Sequence, residues 1–541
     1  MRADIVFLNG EVITVNALNE IAEGVAVKDN KIVAVGSNKE IKTYIGENTE
    51  VVDLTGKSLL PGFIDAHLHL TIYGTNLLGV SCLAPHINSL HDLFGDLKKR
   101  ADITEKGEWI RAWGFNEHSL ADKRFPTREE LDEITRDHPI VITRMCNHIS
   151  VVNSKALEMA GIHEETPDPD GGIIERDSQG KLTGKLIENA HMELFHVASF
   201  SDEELQKAHK LASDTFIQHG ITSIHDAGGY GNGPDILRVM QKGVQSGDIK
   251  VRVYAMIGSL TDSEGFIEKM LDAGAVTGLG DDKFKIGPAK LFTDGSSTGP
   301  TIATREPYSS DANNYGIKYY EQDKLNEILG KAHKNGFQIT AHAQGDRAVE
   351  MVINCIEEAV KNHPREDHRH RIEHAGVTPP DLQARMRRLN VIPIPNPAFI
   401  HVNGDSYIHN YGERVNSMYP AKDYLNHSII AAFASDSPVV GCDPLLGIHA
   451  AVNRKTADGQ AAGTNQCIEV MDAIRAYTYN GAYASFDEDI KGSIEVGKLA
   501  DMVVLERSIL QAKKEHIIDL KVELTMVDGE VLYRKETKVS S

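Results

Sequence analysis

The sequence predicts an α/β protein built on a (β/α)8 TIM-type barrel, with a small β-sandwich assembled from both termini. Three observations carry this expectation. Between residues 61 and 485, short apolar strand-like runs alternate with longer helical patterns, which implies a parallel sheet with crossover helices. About eight such units is the number that closes a barrel. Residues 1–60 and 486–541 instead read as short strands joined by turns, and chain termini often lie close together.

The N-terminal strands are expected at 3–8, 11–15, 24–28 and 31–36, separated by Asn-Gly, Asn-Ala and Asp-Asn pairs. At the other end, 492–494, 500–506 and 524–533 are strand-like, with Asp528-Gly529 marking a hairpin turn. In the middle, a first strand ends at His67 and His69. Apolar runs follow at 140–143, 221–225, 251–257, 285–292, 338–342, 369–374, 391–395 and 429–435. Helical patterns at 202–219, 322–335 and 348–362 lie between some of them. Segment 113–195, with its Asp168-Pro169-Asp170-Gly171-Gly172 run, is long for one connection and reads as an insertion over the barrel mouth.

Composition narrows the partners. The 541 residues carry 78 acidic against 57 basic side chains, a net charge of −21, which disfavours nucleic acid and anionic membranes as partners. No apolar run approaches the ~20 residues of a membrane helix. Residues 1–7 lead directly into strand-like sequence without the pattern of a signal peptide, so the expected compartment is the cytoplasm. The five cysteines (Cys82, Cys146, Cys355, Cys442 and Cys467) show neither a disulfide framework nor a CxxC site and read as small buried hydrophobes. Composition itself names no partner; a small-molecule substrate and a homodimer are expected only through the family resemblance below.

The chemistry begins at Pro61-Gly62-Phe63-Ile64-Asp65-Ala66-His67-Leu68-His69. In a strand, residues two apart point to one face, so both imidazoles can reach one divalent ion. Barrel enzymes carry reactive groups at the C-terminal ends of their strands. At such ends lie Lys290 before Thr293-Asp294-Gly295, His342 before Ala343-Gln344-Gly345-Asp346, His374 closing Arg371-Ile372-Glu373, and Asp436 before Ser437-Pro438.

With these residues in place, the sequence resembles the amidohydrolase superfamily, and within it the YtcJ-like group (amidohydrolase family 3) that includes N-substituted formamide deformylases. The resemblance runs through LLPGFIDAHLHL, DGGIIERDSQGKLTGKLIENA, AKLFTDGSS, AHAQGDRAV, RIEHAG, FASDSPV and GSIEVGKLADMVVL. It implies that His67 and His69 bind the more buried metal, and that His342 and His374 are ligands on the fifth and sixth strands. It further implies that Lys290, once carboxylated, bridges two metals, because a free ammonium has no lone pair to give. Asp436, on the eighth strand, is implied to touch metal and carry the proton. The implied cofactor is one or two divalent ions, zinc first, and the implied reaction is hydrolysis of a non-peptide C–N bond by metal-activated hydroxide.

Competing readings stand beside these roles. Asp436 could cap the following helix, and Lys290 could pair with Asp294. His225 divides between the pocket and packing. Arg305 and Tyr308 could contact a substrate carboxylate or ring, or pack a loop, and Trp113 could line the mouth or pack. His148 lies in RMCNHISVVNS, where the resembling family more often shows Asp-Gly-His-Ser. His370, after the polar Asp367-His368-Arg369, reads as solvated. A cyclic amide, carbamate or ester hydrolase is the rival within enzymology, and a non-catalytic metal-binding regulatory protein is the rival outside it.

Overall fold

The middle of the chain folds into seven parallel strands in strict sequence order, in a computed structural model that describes residues 1–83, 85–144, 149–169, 171–229 and 233–536, without the side chains of Phe195 and His196. The strands are Phe63–Leu68, Ile221–Asp226, Arg252–Ile257, Phe284–Phe292, Ile339–Ala343, Arg371–His374 and Ile392–Ile394. They are numbered one to seven below. All but Lys285 and Phe292 of the fourth and His342 of the fifth are buried, as expected for a parallel sheet covered on both faces.

An eighth strand was expected at 429–435, and no ladder forms there. Residues 432–436 nevertheless hydrogen bond to both edges of the sheet. The Ala432 and Ala434 amides donate to the carbonyls of Pro393 and Pro395, while the Ala66 amide donates to Phe433 and the Asp436 amide to His67. Asp65 adds a clip, its Oδ1 accepting from the Ser435 amide at 3.1 Å. The barrel is therefore nearly closed.

The chain divides into two compact units, residues 1–70 with 213–541 and residues 71–212. In the first unit, helices Gln322–Lys334 and Asp346–Asn362 form close to their expected bounds. Their apolar residues recur at helical spacing and are buried: Leu325, Ile328, Leu329 and Ala332 on one, Val349, Val352, Ile353 and Ile356 on the other. Two further sheets hold the terminal segments. One contains Lys31–Gly36, Gly24–Lys28, Ile5–Leu8 and Glu50–Asp53. The other mixes both ends, with Met502–Leu505 antiparallel to Ser58–Pro61. Phe7, Val25 and Val27 of the first sheet share one apolar cluster with Leu59, Met502, Val504 and Leu524 of the second.

The second unit has its own six-stranded mixed sheet and two apolar clusters. Its bounds are wider than segment 113–195. The run at 140–143, read as part of the barrel alternation, is strand Ile140–Arg144 of this sheet, between Ile110–Phe115 and Ile149–Val152. A short buried apolar run looks the same in either sheet, because periodicity reports burial and not partners. Among the described residues, no helix is long and apolar enough to cross a membrane.

Candidate metal centre

His67 and His69 leave the C-terminal end of the first strand on the same side, and Asp436 meets them from the closing segment. Asp436 Oδ1 lies 3.3 Å from Nε2 of each ring. All three are buried, and their ligand atoms lie within 4.8 Å of one another. Two more rings complete the cluster. His374 stacks obliquely on His67 with centroids 4.8 Å apart, and His342 meets His374 edge-on at 4.5 Å.

The hydrogen bonds of these rings fix which nitrogen faces inward. His67 Nδ1 donates to Glu373 Oε2 at 2.5 Å, and His69 Nδ1 donates to the Gly228 carbonyl at 2.6 Å. His374 Nδ1 donates to Asn396 Oδ1 at 2.7 Å, and His342 Nε2 donates to the Gly295 carbonyl at 3.0 Å. Each ring thus spends one N–H on a protein acceptor and keeps one nitrogen lone pair. Burial pushes His342 down to about 4 and His374 well below the usual imidazole range, so both are neutral near pH 7. Imidazole nitrogens gathered beside one carboxylate are the donor set a divalent cation such as zinc takes, and the residues present fit it.

Backbone geometry at the site is equally specific. His374 and Asp436 sit at φ of 70° and 60°, a region non-glycine residues rarely occupy and one that clusters at functional sites. Gly228, which supplies the carbonyl for His69, sits at φ 92°, and a Cβ there would lie 2.2 Å from the Gly258 carbonyl oxygen. Only glycine fits this position.

Charge is arranged around the rings. Burial opposes ionisation of Asp436, but the neighbouring His374, His67 and His69 rings outweigh it and hold the carboxyl well below the usual carboxylate range. Lys290 is fully buried, and burial lowers it to about 8. Its Nζ lies 3.3 Å from His67 Nε2 and donates to the Ala227 carbonyl at 3.2 Å. It therefore borders the cluster rather than pairing with Asp294. That carboxylate accepts the amides of Ala303, Gln344 and Gly345 at 2.8–3.0 Å, and burial raises it to about 7.

The structure brings together His67, His69, Lys290, His342, His374 and Asp436, and among the described residues it gives His225, Arg305 and Tyr308 protein partners of their own. His225 is buried, accepting from Arg371 Nη1 at 2.8 Å through Nδ1. Arg305 is held by Glu350 and Asp381 at 3.0 and 2.9 Å. Tyr308 is buried, its hydroxyl donating to the Ile302 carbonyl at 2.8 Å. Trp113 is a half-buried residue of strand Ile110–Phe115 in the second unit. His148 and Cys146 lie outside the described residues. His370, read as solvated, is completely buried: its Nδ1 accepts the Ile339 amide at 3.1 Å, and its Nε2 bonds His333 at 2.9 Å. In the polar run before it Asp367 is exposed and Arg369 half-buried, while His368 is buried beside His370.

Sequence reasoning missed Glu373, Arg371 and Asn396. A signal was present for the first two. Two opposite charges alternate in an otherwise apolar strand ending at a histidine, and a charge in a buried strand needs a partner. Nothing local marks Asn396.

Histidines and a carboxylate gathered at the C-terminal rim of a parallel barrel define a metal-dependent hydrolase. The chain belongs to the amidohydrolase family, whose match covers residues 50–533. It is 30% identical over 523 residues to the putative amidohydrolase YtcJ of Bacillus subtilis, covering 95% of this chain and 96% of that one. It is 28% identical over 548 residues to the N-substituted formamide deformylase of Arthrobacter pascens, covering 98% of each. Among solved structures, an uncharacterized metal-dependent hydrolase from Pyrococcus horikoshii OT3 superposes with a TM-score of 0.79 at 28% identity, covering 95% of this chain and 99% of that one.

Proposed function

We propose that this protein hydrolyses a non-peptide C–N bond, that of an N-substituted amide or formamide, at the centre built by His67, His69, Lys290, His342, His374 and Asp436. The observation that carries the reading is the approach of Asp436 Oδ1 to Nε2 of both His67 and His69 at 3.3 Å, with the far nitrogen of each ring already bonded. The likeness to a formamide deformylase supports the choice of bond.

A divalent cation bound here, zinc being the ion best matched to the donors, supplies a Lewis acid and lowers the pKa of water from 15.7 towards ~7. The protein's own groups do the rest. The rings are held by Glu373, Gly228, Asn396 and Gly295, and those of His67 and His69 present Nε2 beside Asp436. Asp436, ionised, accepts the proton of the attacking water and passes it to the departing nitrogen as the C–N bond breaks. An amine and a carboxylic acid leave, the acid being formate when the substrate is a formamide. Lys290, lowered to about 8, holds a larger share of free amine near neutral pH than an ordinary lysine, and that amine would add carbon dioxide and lose a proton to give an anionic oxygen ligand. We read the two terminal sheets, with their shared apolar cluster, as a β-sandwich beside this barrel.

The test is metal analysis of the purified protein with a turnover screen over N-substituted formamides, amides, cyclic amides, carbamates and esters. Formamide or amide turnover that disappears on chelation and returns with zinc supports the reading. Stoichiometric metal without hydrolysis of any panel member overturns it.

A further inference from the structure

Glu373 lies in the barrel interior on the sixth strand, with none of its surface exposed, and four donors saturate its two oxygens. Oε1 accepts from Thr340 Oγ1 at 2.7 Å and from Arg371 Nε at 2.8 Å. Oε2 accepts from Arg371 Nη2 at 2.9 Å and from His67 Nδ1 at 2.5 Å. Arg371, equally buried, grips the carboxylate with a two-toothed fork and spends its other donors on the Ala66 carbonyl at 2.7 Å and His225 Nδ1 at 2.8 Å.

A fully buried ion pair is weak evidence for stability, since apolar side chains of similar volume would fill the space at no greater cost. Its placement against one metal-facing ring points to another role. The four rings are also not treated alike. His69 and His342 donate to backbone carbonyls and His374 to an amide oxygen, all at 2.6–3.0 Å, whereas His67 has a carboxylate at 2.5 Å. A carboxylate behind an imidazole fixes its tautomer and makes its far nitrogen a stronger donor.

We propose that Glu373 is the positioning residue that fixes His67 as an Nε2 ligand, and that Arg371 and Thr340 hold Glu373 in that role; this rests on the metal-centre reading given above. Turning the carboxylate into an amide breaks the arrangement in a defined way. A glutamine at 373 has one acceptor oxygen for Arg371, Thr340 and His67 together, and its NH2 must face one of them. Facing His67, it moves the proton to Nε2 and removes the lone pair that binds metal.

Two measurements decide this. Zinc competition against a chromophoric chelator, with the visible spectrum of the cobalt-substituted protein, compares the parent with Glu373→Gln and His67→Gln. The expected results are ~10–100-fold weaker zinc binding and altered cobalt bands for Glu373→Gln, and loss of zinc for His67→Gln. Parental zinc affinity and cobalt spectrum in Glu373→Gln, with zinc lost in His67→Gln, overturns the positioning role alone. Parental zinc affinity in His67→Gln overturns the metal-centre reading beneath it. If Glu373→Gln does not fold, nitrogen-15 NMR of histidine-labelled, metal-free parent decides. The signal absent from His67→Gln is expected to show the Nδ1–H tautomer, and an Nε2–H tautomer overturns the proposal.

Discussion

The first unit carries two clusters of histidines at opposite ends of the barrel strands, and among the described residues one of them gathers beside a shared carboxylate. His67, His69, His342 and His374 sit at the C-terminal ends, each with one nitrogen bonded to a protein acceptor, and Nε2 of His67 and His69 lies beside Asp436. At the N-terminal end, His333, His368 and His370 form a closed chain. His370 takes the Ile339 amide and bonds His333, His333 passes its second nitrogen to the His363 carbonyl, and His368 takes the His370 amide. Both clusters are rich in imidazole. What separates them is the partner set: in the first, two rings face one carboxylate, and in the second the rings bond one another and the backbone. Histidine density alone therefore does not mark a metal site.

Removing a ring from each cluster should break this contrast most sharply. His67→Ala should lose bound metal and turnover together, with kcat/KM falling by on the order of 10^3-fold or more, because several kcal/mol of Lewis-acid stabilisation goes with the ion. Metal analysis beside a hydrolysis assay reads both quantities, and retention of either one undoes the assignment. Asp436→Asn comes next. It removes the proton acceptor while leaving the rings in place, so kcat should drop ~10^2–10^4-fold while much of the metal stays. Hydrolysis at the parent rate would show that another group carries the proton.

The first cluster was far more legible in the sequence than the second. A histidine two residues from another at the end of an apolar run announces a shared face, and His342, His374 and Asp436 each close a similar run. Barrel topology then does the convergence, since consecutive parallel strands end at one rim. Groups that hold the ligands lie beyond such reasoning. Glu373 is 306 residues from His67, and its pairing depends on a buried arginine whose neighbours no local pattern names. His370 failed for the opposite reason. The charged residues before it suggested solvent, yet Arg369 reaches out to Asp367 and Glu488 while the rings of His368 and His370 turn inward and stack at 4.3 Å. Neighbours in sequence on a tight bend need not share an environment. The barrel was legible for the same reason as the ligands, and the run at 140–143 was misplaced because a buried strand does not name its sheet.

The smallest predicted effect belongs to the closed chain and concerns stability rather than metal. Burial lowers all three of its rings, His368 to about 4 and His370 well below the usual range. In the unfolded chain the same rings titrate near ~6.5. Between these values the unfolded state binds protons that the folded state refuses, so stability rises with pH across that window. The contribution is complete above ~6.5 and drains away as the pH falls towards the folded-state values. Each ring adds a slope of up to ~1.4 kcal/mol per pH unit. His368→Asn isolates one of them, because the asparagine Oδ1 can stand where Nδ1 accepts the His370 amide. Denaturant unfolding measured from pH 7 to pH 4 should show a slope shallower by up to that amount, with the zinc content of the parent. An unchanged slope would mean that His368 does not exchange a proton on unfolding, and lost zinc would mean that the two clusters are not independent after all.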